Sequence, residues 1–124
     1  MGSSRSDSRR VVVTGMGVIS CIGIGLEAFT QSLRDGRSVV TAFRSFPTEG
    51  YPYAHGAEVQ ELGSATDDYA ELTARMGCAS AFAVLAGREA VRKANLTGLI
   101  LKQARAGVVL GTTNGESQVV EGIV

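Results

Sequence analysis

Two short apolar runs predict buried strands. Residues 11–13 (VVV) are continuous and β-branched, and residues 106–111 (AGVVLG) form a similar run near the other end. Uninterrupted apolar runs of this length are typical of strands covered on both faces, as in parallel or mixed sheets. Alternation of such strands with helical patterns indicates an α/β fold.

A short amphipathic helix is predicted between the two runs. Leu26, Phe29 and Leu33 recur at the spacing of one helix face. Gly36 follows where a C′ glycine would end the helix.

A long, alanine-rich and mostly buried helix is predicted over residues 67–94. Asp67 or Asp68 would serve its N-terminus, and Arg92 with Lys93 suits the negative end of the helix dipole. Glycine inside a helix costs about 1 kcal/mol relative to alanine, so glycines at 77 and 87 indicate close contact with another backbone. The predicted apolar face consists of Leu72, Met76, Ala79, Ala83, Ala86, Ala90 and Ala94, widened by Phe82, Val84, Leu85 and Val91.

The remaining segments lack regular periodicity. Prolines and glycines interrupt residues 37–66, where we predict a long irregular excursion with a short strand near 55–59. A segment of this kind is usually functional or part of something larger. Residues 1–8 are polar and predict a disordered leader rather than a signal peptide. Residues 116–124 begin a helix with an apolar, uncapped end, which indicates a fragment or one piece of a larger assembly.

Composition excludes several classes of function. The chain has 124 residues, enough for one small domain, with 12 basic and 12 acidic side chains. This balance gives no reason to expect nucleic acid or a membrane surface as a partner. The 2 cysteines, Cys21 and Cys78, form neither a metal-binding spacing nor a disulfide framework, which favours the reducing cytoplasm.

The glycine pair in residues 9–20 (RRVVVTGMGVIS) raises the question of a dinucleotide site. The fingerprint needs a third glycine where Ser20 stands, and an acidic residue after a second strand, which is absent. Arg37 or Arg44 could face the 2′-phosphate of NADP, but no strand–helix–strand unit surrounds them. We therefore favour a tight turn in which Gly15 and Gly17 serve packing.

The reactive side chains give little sign of catalysis. Cys78 is predicted in the middle of the long helix as a small buried hydrophobe, without a neighbouring base. Cys21 is predicted to be structural, within a turn. His55 is the only histidine, so we expect it to be solvated or locally hydrogen-bonded, and we predict no metal site.

The best local candidate for substrate contact is the turn over residues 110–116 (LGTTNGE). A strand that ends in small polar residues before a helix can line the mouth of a pocket, and Thr112, Thr113 and Asn114 stand there. An ordinary strand-to-helix turn, with Asn114 or Thr113 as N-cap, explains the pattern equally well.

Taken in order, these segments resemble the β-ketoacyl-acyl carrier protein synthases, the condensing enzymes of fatty acid and polyketide assembly. Residues 9–20 resemble the family's opening, and residues 19–23 (ISCIG) its next turn, with Cys21 where proline is common. Residues 33–38 (LRDGRS), 88–96 (REAVRKANL) and 108–115 (VVLGTTNG) resemble three further motifs. Each motif is weak alone, but the collinear set is specific.

The resemblance implies the thiolase-like fold, layered α/β/α/β/α, with residues 9–124 forming part of its N-terminal half, incomplete at the C-terminal end. It implies decarboxylative condensation of a carrier-bound acyl chain with malonyl thioester, by a cysteine and two histidines and without a cofactor. Those residues lie further along in the family, and none of Cys21, Cys78 and His55 matches them. This chain alone is therefore expected to be inactive. Asn114 matches a position against the acyl chain that is commonly apolar, so its amide suits a shorter, more polar or polyene-like chain.

The implied partners are acyl carrier protein, the remainder of the ketosynthase fold, and either a second copy or a chain-length-factor subunit. One alternative is that the chain belongs to a non-catalytic chain-length-factor-like subunit that pairs with an active ketosynthase. A further alternative is the NADP-binding module considered above.

Overall fold

The computed structural model describes residues 10–60, 68–96, 98–113 and 115–116. Short strands precede and follow the first helix, and the last three elements are helices. In chain order the elements are β1 (Ile19–Ser20), β2 (Gly23–Ile24), α1 (Leu26–Arg34), β3 (Thr41–Ala42), β4 (His55–Gly56), α2 (Asp68–Thr73), α3 (Cys78–Lys93) and α4 (Gly98–Gln103).

Two small antiparallel ladders organise the first 60 residues. Strands β1 and β2 form a hairpin in which Ser20 lies opposite Gly23, and the Ser20 hydroxyl donates to the Gly23 carbonyl at 3.0 Å. Strand β3 pairs with β4 and closes a loop that carries a cluster of aromatic rings. The predicted irregular excursion is confirmed as far as residue 60, and the predicted strand near 55–59 is confirmed at β4.

Helix α1 confirms the first predicted helix and its end. Gly36 has φ +61°, and its N–H donates to the Leu33 carbonyl while the N–H of Arg37 donates to the Ser32 carbonyl. This pair of bonds is a Schellman motif, which requires a left-handed residue at C′. The predicted face is wrong at Leu33, which is 58% exposed, whereas Ser32 is buried. One residue corresponds to 100° around a helix, so the packed face is rotated from the predicted one.

The prediction of one long helix is wrong: the structure has two helices, because the helical conformation is interrupted between Thr73 and Cys78. Gly77 has φ −69° and ψ 165°, an extended conformation that cannot continue a helix, and it forms the N-cap of α3. Ala81 and Leu85 are the buried apolar residues of α3. The basic last turn is confirmed, and Asn95 at φ +54° ends the helix with a second Schellman motif.

The prediction of two buried strands is wrong for this chain. Val11, Val12 and Val13 are 92%, 74% and 79% exposed, and residues 108–110 are also exposed. Neither run forms a strand, and neither makes a backbone hydrogen bond to another described residue. A β-branched run is buried only where neighbouring strands flank it and a layer covers it, and the described part supplies neither.

Some predictions lie outside the described residues. These are the leader, Asp67 as a candidate for the start of the long helix, Asn114, and the predicted helix beyond residue 116. Among the described helices, none has the length and apolar character needed to cross a bilayer.

Candidate functional site

The glycine pair packs against helix α3. A Cβ on Gly15 would overlap the carbonyl oxygen of Ala90, and one on Gly17 would overlap that of Ala86. Glycine is therefore required at both positions by the close approach of two backbones. This geometry confirms the packing role predicted for the pair. The backbone contacts predicted for Gly77 and Gly87 are wrong. A Cβ on Gly77 would meet the side-chain carboxyl group of Glu116, and nothing lies within 4 Å of a Cβ built on Gly87.

Glu89 of α3 holds the turn that follows the glycine pair. Its carboxyl oxygens accept the N–H of Val18 at 3.1 Å and the N–H of Leu26 at 3.2 Å. Leu26 is the first residue of α1, whose N-cap Gly25 has no side chain to bond these groups. An anionic side chain thus occupies the donors that a phosphate would need, which argues against a dinucleotide site. Sequence patterns missed this role, because the two donors lie 71 and 63 residues away from Glu89 along the chain and no local pattern marks them.

Cys78 corrects a second prediction. It is the first residue of α3 and is exposed, rather than buried in mid-helix, because the helix begins after the break at Gly77. The Tyr69 hydroxyl donates to its sulfur at 3.7 Å, and the Tyr69 ring stacks on Phe82. The pKa of Tyr69 is raised mainly by desolvation and also by this hydrogen bond. Tyr69 is therefore a protonated donor near neutral pH and not a base for Cys78.

The turn over residues 110–116 is attached to the first turn of α3. Glu116 Oε1 accepts the backbone N–H of Ser80 at 2.7 Å. A Cβ on Gly115 would lie 2.9 Å from both the Ala79 Cβ and the Thr112 hydroxyl oxygen. Thr112 and Thr113 are exposed, and Asn114 between them and Gly115 lies outside the described residues.

The other candidate side chains lie on the first two ladders. Cys21 is half-buried in the turn between β1 and β2, and His55 is exposed at the start of β4. In the described part of the chain, no three acidic, cysteine or histidine side chains are grouped as metal ligands would be.

A cavity of about 150 Å³ lies between α2 and α3. Its charged lining residues are paired, with Arg88 bound to Asp68 at 2.6 Å and Arg75 to Glu71 at 3.8 Å. Because each cation already faces a carboxylate, this cavity offers little free charge to a ligand.

Known proteins match this chain over nearly its whole length. The model of the β-ketoacyl synthase N-terminal domain matches residues 8–122. The chain is 34% identical to 3-oxoacyl-[acyl-carrier-protein] synthase 1 of Haemophilus influenzae, over 88% of this chain and 27% of that protein. It is 37% identical to the putative polyketide beta-ketoacyl synthase 1 of Streptomyces halstedii, over 87% of this chain and 26% of that protein.

A solved structure, the ishigamide ketosynthase/chain length factor, is also similar. It shares 40% identity and a TM-score of 0.76, over 93% of this chain and 28% of that chain. The chain spans about a quarter of the length of the curated relatives it matches.

Proposed function

The chain belongs to the β-ketoacyl synthase family, whose N-terminal domain it matches, and we propose that it forms part of an acyl-elongating ketosynthase. Its fold is the thiolase-like fold, and this chain is part of the N-terminal half. The proposed reaction is decarboxylative Claisen condensation of a carrier-bound acyl chain with malonyl-acyl carrier protein. The observation that carries the proposal is the collinear match over residues 8–122.

This chain would scaffold the reaction rather than perform it. In the family the nucleophile is a cysteine that holds the acyl group as a thioester. Two histidines assist loss of CO₂ from the malonyl group. The resulting carbanion attacks the thioester carbonyl, the C–S bond breaks, and the cysteine thiolate leaves while the β-ketoacyl product stays on the carrier protein. Cys78 faces a tyrosine donor, and a nucleophile needs an adjacent base or a lowered pKa to react at neutral pH. The cysteine and histidines would therefore come from the rest of the complete enzyme.

The proposed substrate contacts of this chain are Thr112, Thr113 and Asn114. Their support is the exposure of both threonines on a turn fixed against α3, together with the family position that Asn114 matches. An amide in contact with an acyl chain needs a polar partner, because an unpaired buried amide costs about 1–3 kcal/mol. The turn would therefore favour a short or polar chain over a long saturated one.

Asn114→Ile in the complete enzyme tests this specificity. We expect the preference among acyl primers to move towards longer saturated chains, measured as kcat/KM over a series of chain lengths. Asn95→Gly is the control, since it removes an amide at the C-terminal end of α3, whereas Glu116 contacts the N-terminal end of this helix, which is about 24 Å long. An unchanged chain-length profile in Asn114→Ile would contradict the assignment.

The proposed partners are acyl carrier protein and a second ketosynthase-type subunit, and the proposed compartment is the cytoplasm. Similarity to a ketosynthase/chain length factor supports a second candidate, a non-catalytic subunit that pairs with an active ketosynthase. Relatives named as a 3-oxoacyl-[acyl-carrier-protein] synthase and as a polyketide beta-ketoacyl synthase leave both fatty acid and polyketide assembly as proposed pathways. The residues of the full-length protein beyond this chain separate the two assignments: a nucleophilic cysteine there, whose replacement by alanine abolishes condensation, supports the enzymatic assignment, and its absence supports the subunit assignment.

The NADP-binding alternative has no support from the turn geometry. Glu89 takes the N–H groups after the glycine pair, so a titration with NADPH should give no binding isotherm.

A further inference from the structure

Helix α3 begins without a capping side chain of its own. Gly77 is its N-cap, no side-chain hydrogen bond is made there, and no acidic residue stands in its first turn. The first N–H groups of a helix have no partner within the helix and are usually bonded by a side chain at the N-cap. Here the acceptor for the Ser80 N–H is Glu116, 36 residues away.

The close approach of Glu116 depends on small residues around it. A Cβ on Gly77 would overlap the Glu116 carboxyl group, so glycine at the N-cap leaves room for that group. Gly115, directly before Glu116, packs against Ala79 and the Thr112 hydroxyl. The positive end of the helix dipole strengthens a bond to an acidic acceptor. The C-terminal end of the turn is thus joined to the start of α3 by one hydrogen bond and by packing.

We propose that Glu116 is a positioning residue that fixes the turn carrying Thr112 and Thr113 and thereby sets the acyl-chain preference. This inference rests on the proposed function, because it assumes that the turn contacts an acyl chain. Glu116 acts through the turn and does not itself touch substrate: its carboxyl group points at the helix N-terminus and is engaged by Ser80.

The test compares three variants of the complete enzyme. Glu116→Ala removes the acceptor, and Glu116→Gln keeps an acceptor oxygen at the same reach. Gly77→Ala displaces the carboxyl group from the helix side without substituting any residue of the turn. Gly77 has φ −69°, so alanine there causes no backbone strain. The measurements are kcat/KM for a short and a long acyl primer, and amide hydrogen exchange at Ser80.

We expect Glu116→Ala and Gly77→Ala to speed Ser80 exchange and to change the ratio of the two kcat/KM values by about threefold or more, as loss of one charge-assisted hydrogen bond allows. Glu116→Gln should lie between Glu116→Ala and the wild type in both measurements, because it keeps the hydrogen bond but loses the charge. A merely structural role would lower both kcat/KM values together and leave their ratio unchanged.

Failure of the inference is distinguishable from failure of the proposed function. Faster Ser80 exchange with an unchanged ratio overturns the positioning role, and unchanged exchange overturns the contact itself. A wild-type complete enzyme without condensation activity, alone or with a partner subunit, overturns the proposed function and with it the role in selectivity. If Glu116→Ala does not fold, Gly77→Ala supplies the same comparison.

Discussion

Glu89 and Glu116 each serve a helix that lacks a capping side chain. Helices α1 and α3 both begin after a glycine, Gly25 and Gly77, and each receives its acceptor from a distant glutamate. A glycine N-cap leaves room for a carboxyl group from another segment, which a serine or aspartate cap would fill. The start of each helix therefore depends on tertiary contact, and neither glutamate could be identified from local periodicity.

Glu89→Ala should lower the free energy of unfolding of the full-length protein by about 1–3 kcal/mol, because the Val18 and Leu26 N–H groups both lose their acceptor. Glu27→Ala is the control, since Glu27 is exposed and forms only a surface contact with Lys93 at 3.3 Å. Glu27→Ala should change the free energy of unfolding by no more than about 0.5 kcal/mol. Urea unfolding measures both, and equal effects of the two substitutions would contradict the bridging role of Glu89.

Glu58 predicts a dependence on pH in the loop between β3 and β4. The carboxyl group of Glu58 accepts hydrogen bonds from the Ser45 hydroxyl and from the backbone N–H of Arg44. Both bonds lower the pKa of Glu58, and the bond from Ser45 has the larger effect. A lowered folded-state pKa stabilises the fold above the ordinary titration range of glutamate, and this contribution is lost as the pH falls through the folded-state value.

Ser45→Ala should therefore raise the pKa of Glu58 towards its ordinary value, as followed by NMR titration of the side-chain carboxyl carbon. The stability difference from the wild type should be present at neutral pH and vanish in acid. Ser38→Ala, at an exposed serine, should leave the titration curve unchanged. A titration midpoint that is the same in Ser45→Ala and the wild type would contradict the assigned cause.

At the scale of elements, local chemistry predicted helix ends better than helix continuity. Gly36 and the basic pair Arg92 and Lys93 stand where they were predicted, because caps and dipoles depend on neighbouring residues. The break at Gly77 was missed because apolar spacing continues across it, and spacing does not report the extended ψ of one glycine. Of the candidate turn, sequence indicated the exposed threonines but not the anchor at Glu116.

Two glycine substitutions should change the stability of the protein in opposite directions. In Gly17→Ala the new Cβ would overlap the Ala86 carbonyl oxygen, so the turn must move off α3, at a cost of about 1–3 kcal/mol. In Gly87→Ala the Cβ meets open space within α3, so the higher helix propensity of alanine should stabilise by up to about 1 kcal/mol. Thermal unfolding of the full-length variants measures both, and destabilisation by Gly87→Ala would contradict the packing described for α3.

At the scale of the whole molecule, the fold class was predictable although the burial of its strands is not seen. The order of the motifs along the chain identifies the thiolase-like fold. This identification uses the sequence of all the matched residues rather than the surroundings of one segment. Burial of Val12 or Val109 instead requires neighbouring strands and covering helices. The described residues hold two-residue ladders that do not include either valine. The chain spans about a quarter of the length of its relatives, so the relatives hold further segments, and we expect segments of that kind to supply the neighbours of both valines.

Val12→Thr and Val109→Thr test this expectation in the full-length protein. Threonine keeps the branched shape and differs mainly by a hydroxyl group, which costs about 1–3 kcal/mol when buried without a partner. We expect a loss of this size at both positions, measured by urea unfolding. Val40→Thr is the control, because Val40 is 61% exposed in the loop before β3 and should change stability by less than about 0.5 kcal/mol. Losses at Val12 and Val109 as small as that at Val40 would mean that both runs stay exposed in the complete protein, and the layered sheet would then need other strands at its centre.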